Sequence, residues 1–292
     1  MHKLNFWILI LLHMVIIREA RRSDRREVAE FTSRTWKWGD YIMSVWDQWI
    51  SDEKGKLLVA EEGGKVIGLM RLAIRPEGEA YLAGARVHPD FRRRGVATAL
   101  TKKCIEYARS MGAKFVSLAT SSKNLPAISL VEKLGFTLAQ EMIKVDAWPK
   151  KSAEPSGVRI MRAEEAREAI KWVKSRMKCR PVKFRFFEWS TLRLEDLVKY
   201  SEEGFAAVHG RIDGIALYQL YSTQNMYLMV DFLIGDEGAS KELGLFLRKE
   251  ASFFNCKGVW GYVTSDKGLI SGLKKAGFRI KKEGMRIYEM KL

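Results

Sequence analysis

Cysteine is scarce in this chain, with three among 292 residues. Cys104, Cys179 and Cys256 are scattered and none stands in a CxxC pair or at Cys/His ligand spacing, which argues against a zinc site and for a reducing, cytoplasmic setting. Amide side chains are also sparse. Asparagine and glutamine total eight, while lysine, arginine and glutamate abound, a bias that fits a thermophile source. A long apolar run is lacking too: Leu4 to Ile17 is too short for a confident membrane span. No small-x-small cleavage site follows it, only Arg18-Glu-Ala-Arg-Arg-Ser-Asp24. The better parse makes Val15 to Arg18 the first strand, with Ser23 or Asp24 capping a helix that runs to about Trp36. Residues 1–14 are then expected to be an arm or a mis-assigned start, with Met14 as the true one.

What is plentiful is positive charge. Lys and Arg total 51 against 35 Asp and Glu, a net charge of +16. The cations are spread along the chain, with concentrations at Arg18 to Arg26, Arg92 to Arg94, Lys171 to Arg185 and Lys274 to Lys282. No basic-aromatic RNA-binding string accompanies them. The charge is therefore read as incidental or as suited to an acidic small ligand, with nucleic acid and membrane not expected as partners. With 47% hydrophobic residues, the chain can build two packed cores.

The stretch Tyr81 to Leu100, YLAGARVHPDFRRRGVATAL, carries the most chemistry. Leu82, Ala83, Gly84, Ala85 and Val87 suit a buried strand, which His88-Pro89-Asp90 ends because proline has no amide for the ladder. Arg92-Arg93-Arg94-Gly95-Val96-Ala97 then leads into Thr98, Leu100, Cys104, Ile105 and Ala108, whose spacing marks a core-facing helix. The first amides of a helix have no internal partner and the macrodipole adds positive charge, so this junction can grip a phosphate. Gly95 and Ala97 keep the turn small, and three arginines offer charge-assisted bonds.

Arg92-x-x-Gly95-x-Ala97 after such a strand resembles the pyrophosphate loop of the GNAT superfamily of N-acetyltransferases. Asn124-Leu-Pro-Ala127-Ile-Ser-Leu-Val131-Glu-Lys-Leu-Gly135-Phe136, about forty residues on, resembles that family's second motif. The resemblance covers roughly residues 15 to 146. It implies an α/β fold with a mixed central sheet flanked by helices, and acetyl-CoA as cosubstrate with no metal. It also implies cofactor contacts from Ala85, Arg86 and Val87, from Arg92, Arg93, Arg94, Gly95, Val96, Ala97 and Thr98, and from Asn124.

Two departures from the family pattern bear on catalysis. The tyrosine that many relatives use to protonate the departing thiolate is Val131 here, and the strand before the loop lacks the glutamate that several relatives use as base. A protonated amine must lose a proton before it attacks a thioester. Glu79, at the strand's start, is the candidate base; Glu77, His88 and Asp90 stand nearby but fit less well, and water can take the proton if proximity alone drives the step. The aromatic segment Thr35 to Ile50 is a candidate wall of the acceptor groove, with Trp36, Trp38, Asp40 and Tyr41 as candidate substrate contacts and Asp47 as a further acid. The alternative is that its rings are core.

A linker at 148–157, Trp-Pro-Lys-Lys-Ser-Ala-Glu-Pro-Ser-Gly, separates the first domain (15–147) from a second (158–292). The second echoes the first. Ile160-Met-Arg-Ala163 follows Ile17-Arg-Glu-Ala20, Gly210 to Gly214 follows Gly64 to Gly68, Gly238-Ala-Ser follows Gly95-Val-Ala, and Gly277-Phe278 follows Gly135-Phe136. Two tandem GNAT-like domains are expected. The second is degenerate, because Asp236 and Glu237 stand where the first has arginines and like charge would repel phosphate. It is left to structural work or, through Phe184 to Trp189, to the acceptor pocket. The expected activity is acetyl transfer from acetyl-CoA to a primary amine of a small molecule, amino acid or protein. A non-catalytic acyl-CoA sensor is the alternative and a basic RNA or ribosome adaptor a more distant one. Homo-oligomerisation is left open.

Overall fold

The computed structural model describes residues 14–33, 35, 39–185, 188–222 and 224–292. They divide into two compact units. The first runs up to Leu118 and adds Leu130–Thr137 and Glu289–Leu292; the second holds Ala119–Ser129 and Leu138–Tyr288.

In the first unit, β1 (Ile16–Glu19) leads through a turn at Arg22–Asp24 into α1 (Arg25–Thr32) and α2 (Ile42–Ile50). There follow β2 (Gly55–Glu62), β3 (Lys65–Arg75), β4 (Glu79–Val87), α3 (Val96–Ser110) and β5 (Phe115–Ser121). The strands neighbour one another in the order β1-β2-β3-β4-β5. The first four are antiparallel and β4 pairs β5 in parallel, so the sheet is mixed.

Helices cover both faces because both faces are apolar. Val28, Phe31, Ile42, Trp46 and Trp49 from α1 and α2 pack on Leu57, Val59, Val66 and Leu69. Across the sheet, Gly68 lets α3 come close: a Cβ there would stand 3.1 Å from Val96 Cγ1 and 3.3 Å from Leu100 Cδ1. Helix α1 ends at Thr32, short of the expected Trp36. Thr32 Oγ1 donates back to Val28 O and Ser33 Oγ to Glu30 O; such side-chain bonds to the backbone are common where a helix gives out.

The second unit repeats the plan. α4 (Leu125–Lys133) is divided between the two units at Ser129/Leu130; β6 (Thr137–Ala147) then precedes β7 (Val158–Ile160), α5 (Ala166–Arg176), a hairpin of β8 (Val182–Arg185) and β9 (Glu188–Thr191), and α6 (Leu194–Glu202). Then come β10 (Ala206–His209), β11 (Gly214–Ser222), β12 (Met226–Gly235), α7 (Glu237–Phe253), β13 (Val259–Thr264), α8 (Lys267–Lys275) and β14 (Arg279–Lys291). One core joins α7 and α8 to the sheet and another joins α5 and α6.

The internal repeat extends to single hydrogen bonds. In the first unit Arg18 and the Arg21 amide both bond Asp24; in the second Arg159 and the Arg162 amide both bond Glu165. The hydrogen bond from Arg159 holds the Glu165 carboxyl down at about 2. Gly135 and Gly277, with φ of 92° and 85°, each end a helix before a buried phenylalanine, Phe136 or Phe278. That is the left-handed C-terminal stop that glycine favours.

The strand order of the second unit is β14-β6-β13-β12-β11-β10-β7. Strand β6, the last strand of the first half in sequence, pairs antiparallel with β13, from Val259↔Ala147 to Thr264↔Met142. In return Glu289–Leu292 count with the first unit, where Leu292 N donates to Lys114 O at 3.0 Å. Among the described residues no helix is long and apolar enough to cross a membrane.

Candidate functional site

Strand β4 is regular over its first half and irregular over its second. It pairs β3 as Arg71↔Ala83 and then as Leu69↔Arg86, so β3 takes two steps while β4 takes three. The extra residue makes a β-bulge at Gly84–Ala85. Gly84 has φ +64°, and a Cβ on it would lie 2.6 Å from Trp49 Cζ3 and 3.1 Å from Ile42 Cδ1. Glycine is required there both by the left-handed backbone and by the indole seated on it. The register of β4 with β5 covers Glu79 to Leu82 and stops, whereas that with β3 runs on to Val87. Past Leu82, β4 is held along one edge and can offer amides along the other.

Beyond Val87 the chain turns through Pro89–Phe91 into α3. His88 Nδ1 accepts from the Asp90 amide at 3.3 Å. That bond ties the ring to the turn that follows β4. Gly95 caps α3 with φ +82° and no side-chain cap, and the space where its Cβ would be is clear for 4 Å. The first bond of the helix is Ala99 N to Gly95 O, so the amides of Val96, Ala97 and Thr98 are orphan donors at the positive end of a fifteen-residue helix.

The three arginines are not equivalent. Arg94 Nη2 bonds Glu62 Oε1 at 2.8 Å and its guanidinium lies 5.0 Å over Phe91. Arg92 Nε donates to Val87 O at 3.3 Å. Arg93 is exposed, with φ +62°. An uncapped helix start, a clear turn and exposed guanidinium groups fit a diphosphate.

The other expected site residues fall in several places. Glu79 is buried at the first position of β4, where Ser117 Oγ donates to it at 3.3 Å and Arg75 pairs with it at 3.5 Å. It lies five residue steps from Gly84, about 16 Å at 3.3 Å per residue. Asp40 accepts from Arg86 Nε at 2.7 Å and Nη2 at 3.1 Å, and from the Ile42 amide at 3.2 Å. Tyr41 lies under the Arg86 guanidinium. Trp46 and Trp49 are core, as the alternative reading had it. Asp47 pairs with Arg25 on the surface. Trp36 and Trp38 lie outside the described residues. Asn124 counts with the second unit, where its Oδ1 accepts from the Ala127 amide at the start of α4. Val131 is buried. Phe184 and Trp189 pack on each other and on Tyr262 inside the second unit.

Gly84, the Glu62–Arg94 pair and the Asp40–Arg86 pair were not picked out from the sequence. A glycine inside a strand is a sign of a bulge, but ion pairs between residues 32 and 46 positions apart leave no local trace.

The second unit shows what the open helix start is worth by filling it. Gly214 faces Ala239 and Leu243 as Gly68 faces Val96 and Leu100, which aligns Gly238 with Gly95. Yet α7 starts at Glu237, ahead of Gly238, and its cap Asp236 accepts the Ala239 amide at 2.8 Å. The turn has become helix, and a carboxylate of the chain occupies the place where an anion would bind.

Among the described residues no group of three or more His, Cys, Asp or Glu side chains could hold a metal ion. The fold defines a class of α/β proteins in which a mixed sheet leads, through a bulged strand and a turn, into an uncapped helix start. Residues 20–136 match the acetyltransferase (GNAT) family. The chain is 30% identical over 131 residues to an acetyltransferase of Sodalis glossinidius, covering 44% of this chain and 90% of that protein. It is 36% identical over 105 residues to a mycothiol acetyltransferase of Pseudarthrobacter chlorophenolicus, covering 34% of this chain and 32% of that protein. The matched segment spans from about a third to under two thirds of the first relatives it matches.

Among solved structures, a GCN5-related N-acetyltransferase from Sphaerobacter thermophilus aligns over 95% of both chains with TM-score 0.64 at 15% identity. A tandem GNAT protein from the clavulanic acid biosynthesis pathway aligns over 95% of this chain and 98% of its own, with TM-score 0.60 at 14% identity. The chain belongs to the GNAT acetyltransferase family, and its α/β fold is that of two tandem GNAT-like domains.

Proposed function

We propose that the first domain (15–147) transfers an acetyl group from acetyl-CoA to a primary amine by direct attack, and that the second (158–292) does not bind acetyl-CoA. The observation that carries the reading is the uncapped start of α3 at Gly95, at the end of a bulged strand, set against the Asp236-filled start of α7. Amides of Val96 to Thr98, with Arg92 and Arg93, hold the diphosphate, and Arg94 is steadied by Glu62. Amides of Ala85 to Val87 take the pantetheine and polarise the thioester carbonyl. Asn124 supports the start of α4.

Direct attack is favoured because neither β4 nor the turn into α3 carries a cysteine that could take up the acetyl group, and Cys104 on α3 is buried in the core. Neither Glu79, at the far end of β4, nor Asp40, already engaged by three N–H groups, serves as base or ammonium site in this reading. The amine loses its proton to water, and holding both reactants together supplies the rate. The acceptor groove is assigned to the face of β4 that carries Arg86, against which the Tyr41 ring lies.

A second reading, an acyl-CoA sensor, is favoured by the buried Val131 in place of an acid and by a β4 with no carboxylate near its bulge. Thiol release from acetyl-CoA against amino acids, polyamines and lysine peptides, with calorimetric CoA binding alongside, separates the two. Turnover with an amine is expected; binding without turnover selects the sensor, and absence of binding overturns both.

A further inference from the structure

We infer that Asp40 is a positioning residue: through Arg86 it holds the β4 bulge, and with it the amides of Ala85 to Val87, in the orientation that acetyl transfer needs. The inference rests on the reading of β4 as the strand that receives the thioester.

A bulge is the least supported part of a strand, since its extra residue has no ladder partner, and here the register with β5 has already ended at Leu82. The strand is instead gripped through side chains. The Asp40 carboxylate, 2% exposed, takes two N–H groups of the Arg86 fork, a geometry that fixes orientation as well as distance. The third arm of that fork, Nη1, donates to the carbonyl of Ala85, a bulge residue, at 3.0 Å. Asp40 also accepts the Ile42 amide, so the same carboxylate binds the start of α2. That helix in turn lays Trp49 and Ile42 against Gly84. One buried carboxylate thus ties the helix, the guanidinium and the bulge carbonyl into one unit.

The second unit makes the same tie with different residues. Strand β12 also carries an extra residue, because Leu217↔Phe232 is followed by Tyr218↔Val230, which leaves Asp231 unmatched. Asp231 is buried and accepts from Tyr200 on α6 and twice from Gln219 Nε2, at 2.9 and 2.7 Å. In both halves the bulge is joined to the second α-helix through a buried carboxylate, although sequence and chemistry differ. A bulge held by packing alone would not call for a buried, hydrogen-bonded carboxyl group twice.

The test compares wild type with Asp40→Asn, Arg86→Met and the double variant by three readouts: hydrogen exchange of the peptide spanning Tyr81 to Val87, calorimetric CoA binding, and kcat with the amine found in the panel. Asp40→Asn is expected to speed exchange in that peptide and to lower kcat at least tenfold. The Kd for CoA, whose diphosphate sits at Gly95, should move less than threefold, and the double variant should match the single ones because the pair acts as a unit. Unchanged exchange in Asp40→Asn overturns the inference. So does loss of protection throughout the first unit with Kd and kcat falling together, which would mark a merely structural residue. If wild type binds no CoA the functional reading fails, while the exchange result still decides whether the clamp exists.

Discussion

Arg93 pays for its place in the cradle with a left-handed backbone, φ +62°, which costs a side-chain-bearing residue about 1–2 kcal/mol. Arg93→Gly is therefore expected to leave thermal stability equal or slightly raised while weakening CoA binding about tenfold through a lost charge-assisted bond of ~1.5 kcal/mol. A melting curve and a calorimetric titration check the two halves of that statement. For Glu79, engaged by Arg75 and Ser117, the expectation is different. Glu79→Gln should lower stability and leave the pH dependence of kcat/KM unchanged, because the rate follows the free fraction of the acceptor amine. A new break in that profile on losing Glu79 would identify it as the base after all.

Asp231 gives a pH signature. Burial raises its carboxyl to about 7 despite hydrogen bonds from Tyr200 and Gln219. A group raised in the folded state above its unfolded value of about 4 adds stability that is complete below pH ~4 and is lost as pH climbs through ~7. Melting temperatures from pH 4 to 8 should therefore fall less steeply in Asp231→Asn than in wild type.

At the scale of elements, the two helix starts make a matched experiment. Gly95→Glu fills open space with a carboxylate on a backbone of φ +82° and is expected to abolish CoA binding. Gly238→Glu lies inside the first turn of α7, where the nearest atom to an added Cβ is Asp236 Oδ1 at 3.5 Å. It should leave CoA affinity as it is and favour the helix by about 0.5–1 kcal/mol. Gly95→Ala, which strains the turn without adding charge, separates backbone from electrostatics.

The helix starts also show how far local sequence carries. The α3 cradle was legible because Pro89, Gly95 and the apolar spacing after it act within a few residues of themselves. Asp236 and Glu237 were visible in the sequence as acids in place of arginines, but capping by Asp236 was not, since it depends on where α7 begins. The bulge at Gly84 was read as plain strand, because its cause is Trp49, thirty-five positions away in the chain. The pairing of Asp40 with Arg86 was hidden for the same reason: the two residues are 46 positions apart.

At the scale of the whole chain, β6 is the feature least visible in sequence, since a strand's pattern shows which faces are apolar and not which strand it will join. A fragment ending near Ala147 would carry Met142, Val145 and Ala147, all buried in the intact protein, with no β13 to receive them. Separately produced halves, 14–147 and 148–292, are expected to be insoluble or molten, and to recover CoA binding when produced together; a monomeric, cooperatively melting first half would contradict this. Removal of Glu289–Leu292 should likewise raise hydrogen exchange in β5, although those residues come from the far end of the chain.

The placement of β6 also sets a timetable for biosynthesis. The ribosome finishes β6 well before it has made β13 at Val259–Thr264. At roughly 5–20 residues per second the interval is of the order of ten seconds, during which a nascent chain holds an apolar strand that has no neighbour. The sheet position of β6 is therefore completed only once the second half has been made, so folding of the two halves overlaps in time and does not follow the order of synthesis.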